Sequence, residues 1–238
     1  MVKRSFDKGY NERLFEKPGL RSYFHNSRFY WLTDTVERFR LRVDNVFELG
    51  CFDGRLLKYL PTKPKNYVGL DADWEGGLSE ARSTFSEVGL FFEKSETPKD
   101  LRKFSTDQFD VSIAMETVEH LPPDLVDEYI SEIARITRDY FIVTVPNEKG
   151  MVFFFKYLIK RTILEGTQPY SLSEFLNATI GRMHKIQQDD HKGFDYDQLI
   201  AQISREFEVV KVEAIPFTYL PKWTGFTVGI VAKKAGSL

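Results

Sequence analysis

The fold is decided by the stretch Val46-Phe47-Glu48-Leu49-Gly50-Cys51-Phe52-Asp53-Gly54, an apolar run that ends in a glycine-containing turn. The run has the length of a strand, and Gly50 permits a tight turn into a helix-like segment at 55–60. Further short apolar runs follow at 67–70, 89–92, 109–114 and 140–145, with helix-compatible segments between most of them, notably 123–136. Apolar strands that alternate with helices predict a parallel sheet covered on both faces.

The C-terminal third departs from this alternation. Residues 147–193 show helical patterns and no convincing strand, and a helix-like segment follows at 195–206. Residues 207–215 and 226–232 then resemble two strands joined by a loop, which predicts an antiparallel hairpin at the sheet edge. The fold class is therefore α/β, a doubly wound, mostly parallel, seven-stranded Rossmann-like sheet with an antiparallel C-terminal hairpin.

These patterns predict one domain over 1–238 with four parts. They are an N-terminal helical cap (1–42), a cofactor-binding core (43–146), a helical lid insertion (147–193), and a C-terminal helix and hairpin (194–238).

Composition excludes several classes of protein. The chain has 238 residues, and its 42% hydrophobic and 29% charged content excludes a wholly disordered chain. A single cysteine excludes an intrachain disulfide and any multi-thiolate metal site. No apolar run reaches the ~20 residues that span a bilayer, and the first residues do not resemble a signal peptide, so we expect a cytoplasmic protein. A net charge of -2 gives no global attraction to nucleic acid.

The turn after the first strand indicates a nucleoside ligand. Phe52 stands where a dinucleotide-binding G-x-G-x-x-G turn has its second glycine, which argues against a pyrophosphate ligand. Glu48 and Asp53 would repel phosphate but suit a cation. Asp71 lies about 20 residues after Gly50, where a carboxylate can accept both ribose hydroxyls. A ribose acceptor beside an acid-lined turn favours S-adenosylmethionine, a sulfonium nucleoside.

The order and spacing of four motifs over residues 43–146 resemble class I S-adenosylmethionine-dependent methyltransferases. The motifs are 48–54, Asp71, 109–111 and 144–147. The resemblance implies that Glu48, Gly50, Cys51, Asp53 and Gly54 line the methionine side of the cofactor. It also implies that Asp71 holds the ribose, that Phe92, Ser95 and Glu96 flank the adenine, and that Met115 lies beside the ligand.

A cluster of acids and a histidine follows the fourth predicted strand. On a helix Glu116, Glu119 and His120 would stand at i, i+3 and i+4 and share one face. Two carboxylates and an imidazole suit Mg²⁺ or Mn²⁺, and His184 or His191 could complete the site. Such an ion would orient an acceptor hydroxyl and stabilise the developing alkoxide.

The Glu-x-x-Glu-His segment resembles that of the small-RNA 3′-terminal 2′-O-methyltransferases and of the ubiquinone-biosynthesis O-methyltransferases. Residues 190–196 resemble the distal histidine segment of the RNA group, which favours His191 as the fourth ligand. Two alternatives stay open. His120 or His191 could act as a metal-free general base, or the segment could be purely structural.

Residues 151–164 are nearly apolar around a predicted helix that carries Lys156, Lys160 and Arg161. We expect a lid helix packed on the core; a peripheral membrane contact or an oligomer contact are the alternatives.

The sequence as a whole predicts S-adenosylmethionine-dependent O-methylation of a small molecule, sugar or lipid-linked intermediate. An RNA 2′-O-methyltransferase and a catalytically inactive binding protein of the same fold are the alternatives.

Overall fold

A computed structural model describes residues 19–74, 76–163, 170–187 and 192–236. These residues contain seven strands in one sheet of order β3-β2-β1-β4-β5-β7-β6. The strands are β1 (Asn45–Leu49), β2 (Asn66–Asp71), β3 (Leu90–Lys94), β4 (Phe109–Met115), β5 (Thr137–Pro146), β6 (Phe207–Ile215) and β7 (Thr227–Lys234). The predicted α/β class, doubly wound order and seven strands are confirmed.

β1 to β5 and β6 run in the same direction, and β7 alone runs against them. β1 lies between β2 and β4, with Glu48 opposite Gly69 and Ile113 in the two registers. β7 runs antiparallel to both β5 and β6, which confirms the predicted C-terminal hairpin. The chain order reverses between β1 and β4, so the carboxyl ends of these two strands mark the place where open α/β sheets bind ligands.

Six α-helices occur in the described part of the chain. They are α1 (Leu20–Arg38), α2 (Leu78–Thr84), α3 (Val126–Ile136), α4 (Gly150–Ile163), α5 (Leu172–Thr179) and α6 (Tyr196–Ile203). α3 buries Val126, Tyr129, Ile130 and Ile133, an apolar stripe that packs on the sheet. It begins later than predicted because the amide of Leu125 donates to Pro122 O in a turn before the helix. None of the described helices is both long enough and apolar enough to cross a bilayer.

The helix predicted at 55–60 is a 3-10 helix over Arg55–Tyr59. The amide of Leu57 donates to Gly54 O at 3.1 Å, an i to i+3 bond that tightens this short connection. The loop before β2 then begins at Leu60, whose extended backbone ends this helix.

α1 is fastened to the C-terminal hairpin. Arg38 donates two hydrogen bonds to Glu213 in β6, at 2.9 and 2.6 Å, and the indole of Trp31 donates a third at 2.9 Å. Burial raises the pKa of Glu213, but these hydrogen bonds outweigh it, so the net pKa lies below its usual value. Trp31 also packs on Gly229, where a Cβ would lie 2.5 Å from the ring. This anchor fixes the direction of α1 relative to β6 and β7.

α4 and α5 form a small layer with its own core. Phe153 and Tyr157 of α4 stack around Phe175 of α5, with ring centroids 5.9 and 5.1 Å from it. Ala178 and Met183 complete this core. The helical character predicted for 147–193 is thus seen in the described residues of this range, whereas the division of the chain into four parts stays a prediction.

Candidate functional site

The turn after β1 is held against the end of β2. The amides of Gly50 and Cys51 both donate to Leu70 O, at 2.7 and 3.2 Å. Gly50 has φ 78°, and a Cβ there would lie 2.1 Å from the hydroxyl oxygen of Thr117. Both the backbone conformation and the contact therefore require glycine. The turn consequently brings the end of β1 beside the residues that follow β4.

Phe52 takes the left-handed conformation that glycine usually supplies, with φ 46°. Its amide donates to Asp71 Oδ2 at 2.9 Å, and its ring packs against Gly77, where a Cβ would lie 2.5 Å away. The guanidinium of Arg55 lies 5.7 Å above the same ring. The departure from glycine at this position is therefore accommodated by Gly77.

Asp71 is fixed at both of its oxygens. Oδ2 accepts from Phe52 N, and Oδ1 accepts from Asp73 N at 2.7 Å. Each oxygen of a carboxylate has two lone pairs, so each keeps one for a ligand. Burial raises the pKa of Asp71, and the two amide hydrogen bonds oppose that rise. The side chain is partly exposed, so a diol could reach both oxygens.

The other acids of the turn differ in their surroundings. Glu48 is 3% exposed and accepts a hydrogen bond from the hydroxyl of Tyr67. Burial raises the pKa of Glu48 to about 8. Asp53 instead pairs with Arg55, whose Nε lies 2.8 Å from Oδ1. Cys51 is buried, and burial raises the pKa of its thiol, so it is not a nucleophile at neutral pH.

The residues after β3 form a second turn. The Asp100 carboxylate accepts from the hydroxyl of Ser95 at 3.0 Å and from the amides of Glu96 and Thr97 at 3.1 Å each. The amide of Ser95 donates to Asp71 O at 2.9 Å, which places this turn beside the proposed ribose site. Phe92, predicted to flank the adenine, is buried in the core against Tyr67.

The segment after β4 is not an α-helix. Met115 ends β4 in a buried position, and Glu116 follows with φ 53°, its amide donating to Thr144 O at 2.9 Å. Only Val118–His120 is helical, as one 3-10 turn. The i, i+3, i+4 face predicted for Glu116, Glu119 and His120 is therefore wrong, because the left-handed residue breaks the helix before it starts.

Glu119 and His120 lie side by side on that turn. Glu119 is 1% exposed, whereas the side chain of His120 is 35% exposed. His120 Nε2 lies 4.0 Å from Glu119 Oε1. The imidazole thus has one side towards a buried carboxylate and another accessible from outside, an arrangement suited to a general base.

The positive charges of Arg28 and Lys156, which come from two distant helices, act on the acidic segment after β4. Arg28 of α1 has its Nε buried, and the charges of Glu116 and Glu119 oppose the lowering of its pKa by burial. Burial raises the pKa of Glu116, and Arg28 and then Lys156 oppose that rise. Lys156, predicted on the basic face of the lid helix, points inward and donates to Glu148 Oε1 at 2.7 Å.

Three of the four predicted metal ligands, Glu116, Glu119 and His120, lie in the described residues. Among the described residues no group of three or more His, Cys, Asp or Glu side chains could hold a metal. The charges of Glu116 and Glu119 oppose the lowering of the Arg28 pKa by burial, so these carboxylates lie within electrostatic range of a guanidinium. His184 is exposed, and His191 lies outside the described residues.

Sequence reasoning missed Arg28, Glu148 and Tyr67. Arg28 lies among aromatic and charged residues that gave no sign of its role, and Tyr67 is one apolar-looking position of a buried strand. Alternation along β2 does place Tyr67 and Gly69 on the same face, and Gly69 is opposite Glu48 in the register. That register is the only signal that could have found the Glu48–Tyr67 pair.

Comparison with known proteins identifies the central segment. Residues 46–139 match a family model described as a methyltransferase domain. The ubiquinone biosynthesis O-methyltransferase of Hahella chejuensis is 31% identical over 120 residues. That match covers 49% of this chain and 50% of the relative, so the chain spans about half the length of the curated relative it matches.

Solved structures agree over nearly the whole chain. The PH0226 protein of Pyrococcus horikoshii superposes with a TM-score of 0.63 at 15% identity, covering 96% of this chain and 99% of that one. The magnesium protoporphyrin IX methyltransferase of Synechocystis, solved with bound SAH, gives 0.58 at 14% identity, covering 97% and 96%. At these identities the superpositions establish the fold.

Proposed function

We propose that this chain transfers a methyl group from S-adenosylmethionine to a hydroxyl oxygen, in keeping with the match of residues 46–139 to a methyltransferase domain. The observation that carries the proposal is Asp71, whose two oxygens are each fixed by one backbone amide and each keep a lone pair for a ribose hydroxyl. The partial match to an O-methyltransferase supports oxygen as the accepting atom.

The proposed cofactor site extends from the glycine turn to the end of β4. Asp71 would bind the ribose. The residues proposed around the rest of the cofactor are Glu48, Gly50, Cys51, Asp53, Gly54, Ser95, Glu96 and Met115. Glu48 suits the amino group of the methionine part, because a nearby ammonium would lower the raised pKa of this buried carboxyl.

Methyl transfer to a hydroxyl needs a group that accepts the hydroxyl proton and an in-line approach of the oxygen to the methyl carbon. When bound, S-adenosylmethionine supplies an electrophilic methyl carbon on a sulfonium. We propose that His120 accepts the acceptor's hydroxyl proton as the oxygen–carbon bond forms and the carbon–sulfur bond breaks. Glu119, 4.0 Å from Nε2, would stabilise the imidazolium that results. The structured turn at 116–120 then positions His120 at the ligand edge of the sheet.

We propose no step through a metal. The described members of the predicted set, Glu116, Glu119 and His120, do not make a ligand group, and Arg28 already balances the two carboxylates. A divalent ion held by these residues with His191, and His191 as the base, are competing predictions. The chelation experiment below decides the first, and a His191→Ala variant, which should keep its turnover, decides the second.

The cofactor assignment is tested by calorimetry with S-adenosylmethionine and S-adenosylhomocysteine. Asp71→Asn should weaken binding by ~1–3 kcal/mol, since it removes an acceptor from a bidentate site. Asp44→Asn is the matched control. Asp44 directly precedes β1, at the amino ends of the strands and away from the proposed site, and it pairs with Arg42 at 2.9 Å. Absence of binding, or equal binding by both variants, would contradict the assignment.

The reaction is tested with methyl-labelled S-adenosylmethionine against pools of sugars, sugar nucleotides, prenyl phenols and small RNAs. Label in an alkali-stable methyl ether of a small molecule supports the proposal, and label in RNA supports the nucleic-acid alternative. His120→Ala should abolish transfer and leave cofactor affinity unchanged. Exhaustive chelation should leave turnover intact; a loss that Mg²⁺ or Mn²⁺ restores would establish the metal-dependent reaction instead.

A further inference from the structure

The outer surfaces of α4 and α5 carry an apolar face that the small core of this layer does not use. We define the outer face as six exposed side chains: Met151, Phe155 and Leu158 on α4, Leu172 and Leu176 on α5, and Ile180 directly after α5. Their spacing of three or four residues puts each set on one side of its helix. Between 48% and 76% of each side chain is exposed. Large apolar side chains collected in this way on a surface indicate a binding face.

The outer face is distinct from the side of each helix that packs inward. Phe153 and Tyr157 of α4 and Phe175 and Ala178 of α5 form the core between the two helices. On α4 the outer residues lie about 100° to 160° around the helix from Phe153 and Tyr157, and at α5 Leu176 and Ile180 lie about 100° to 160° from Phe175 and Ala178. Their apolar character is therefore not explained by the folding of this layer.

A neighbouring loop adds aromatic side chains. The 3-10 turn Lys222–Thr224, between β6 and β7, contacts α4. Around this turn Phe217, Tyr219 and Trp223 are exposed, Tyr219 by 82% and Trp223 by 58%. Tryptophan and tyrosine are the residues enriched where a protein meets the headgroup level of a bilayer.

The charge of this region is opposite in sign to that of the chain. Residues 149–187 contain six lysines and arginines against two glutamates, and of these Lys149 pairs with Asp195 and Asp197 and Lys156 pairs with Glu148. Arg182 and Lys185, just after α5, are exposed. A basic region beside an apolar helical face is the pattern of helices that lie in the plane of an anionic membrane surface.

We propose that the outer face, with the loop at 217–223, docks on a bilayer surface that contains anionic lipids. A second copy of the chain is a poorer occupant, because an isologous contact would bring the two basic regions together. α4 has 14 residues and is about 21 Å long, so it would lie on the membrane.

Docking would place the reaction site next to the lipid. The inward side of α4 carries Lys156, which contacts Glu148 and Asn147 O near the acidic segment. One helix diameter, about 10 Å, thus separates the outer face from this cluster. Resting on the proposed function, this geometry favours an acceptor whose hydroxyl-bearing part is joined to an apolar tail held in the bilayer.

The docking is tested by flotation of the full chain with vesicles of phosphatidylcholine alone and with about one third phosphatidylglycerol. The wild type should float with the anionic vesicles. Replacing Met151, Phe155 and Leu158 with serine should reduce the partition coefficient at least tenfold. Arg182→Gln with Lys185→Gln should reduce it roughly fivefold per charge and only for anionic vesicles.

The matched control replaces Val88 and Phe91 with serine, since these side chains are 102% and 54% exposed beside the edge strand β3. It should float like the wild type, and circular dichroism should show that all variants keep their helix content. Failure of the wild type to bind either vesicle, or equal binding by the triple variant, would overturn the proposal. The proposal would also be overturned if the wild type formed a dimer in light scattering and bound no vesicles, and if only the triple variant lost that dimer. None of these readouts uses S-adenosylmethionine or an acceptor, so this test can fail while the proposed function stands.

Discussion

The two sides of the candidate site hold their carboxylates in different ways. On the proposed cofactor side Asp71 is fixed by the amides of Phe52 and Asp73, and Asp53 by Arg55 two residues away. On the acceptor side Glu116 and Glu119 depend on Arg28, which comes from α1 nearly 90 residues earlier.

The difference bears on how each side responds to change. Backbone amides are present whatever the side chains are, so the cofactor side depends on turn geometry. The proposed acceptor side depends on individual charged side chains carried by α1 and α4. Cofactor binding and acceptor choice can therefore be altered separately.

Arg28→Met is expected to have the largest effect. It removes the cation while leaving two buried carboxylates, which should lower the free energy of unfolding by about 3–5 kcal/mol. The control is Arg102→Met, whose guanidinium also faces two glutamates, Glu128 at 3.1 Å and Glu132 at 3.7 Å, but is 59% exposed. That variant should lose at most about 1 kcal/mol in urea unfolding. Equal losses in the two variants would break the comparison.

Glu48→Gln should alter how stability depends on pH. The native pKa of Glu48, about 8, lies above its unfolded value of 4.5. Between these values the native state holds a proton that the unfolded state has lost, so the contribution of Glu48 falls as pH rises. The variant should therefore gain about 2–3 kcal/mol on the wild type between pH 5 and pH 8 in urea unfolding. Glu96→Gln, at an exposed position, should run parallel to the wild type, and a parallel result for Glu48→Gln would refute the raised pKa.

Gly77→Ala tests whether the cofactor side depends on turn geometry. The new methyl group would overlap the Phe52 ring, which should cost about 1–2 kcal/mol of stability and weaken S-adenosylmethionine binding. Combining it with Phe52→Gly removes the ring and should recover part of both losses, giving a favourable coupling in the double-mutant cycle. Strictly additive effects would show that the two residues act independently.

The smallest effect is expected at Leu176. The side chain is 53% exposed on the outer face, so Leu176→Ser should change the thermal stability by less than about 0.5 kcal/mol. Phe175→Ser, one residue earlier and within the small core, should cost at least 2 kcal/mol. A large loss at Leu176 would mean that this leucine packs inward.

The fold could be predicted from the sequence because its signals are local. Short apolar strands gave the positions of β1 to β7, and 207–215 was predicted to the residue. Gly50 and Asp71 could be predicted because a tight turn and the end of the next strand have fixed residue requirements. Helix boundaries were less accurate, since Arg55–Tyr59 and Val118–His120 are decided by i to i+3 hydrogen bonds that periodicity does not distinguish.

The acceptor side could not be predicted in the same way. Glu116 takes a positive φ because its amide is claimed by Thr144 O, a tertiary contact with β5. Lys156 looked like part of a solvated basic face, but the fold turns it towards Glu148. The spacing of residues along α4 does not indicate which of its two opposite faces packs against a buried carboxylate.

The anchor between α1 and β6 has a consequence for the order of assembly during synthesis. Glu213 leaves the ribosome more than 170 residues after Trp31 and Arg38, the side chains that it holds. The glycine turn and Asp71, by contrast, are made within about 20 residues of each other and can come together early. A nascent chain could thus present a finished nucleoside pocket while Arg28 still lacks its final position. The charge balance of the acceptor side is completed only when the last hairpin closes.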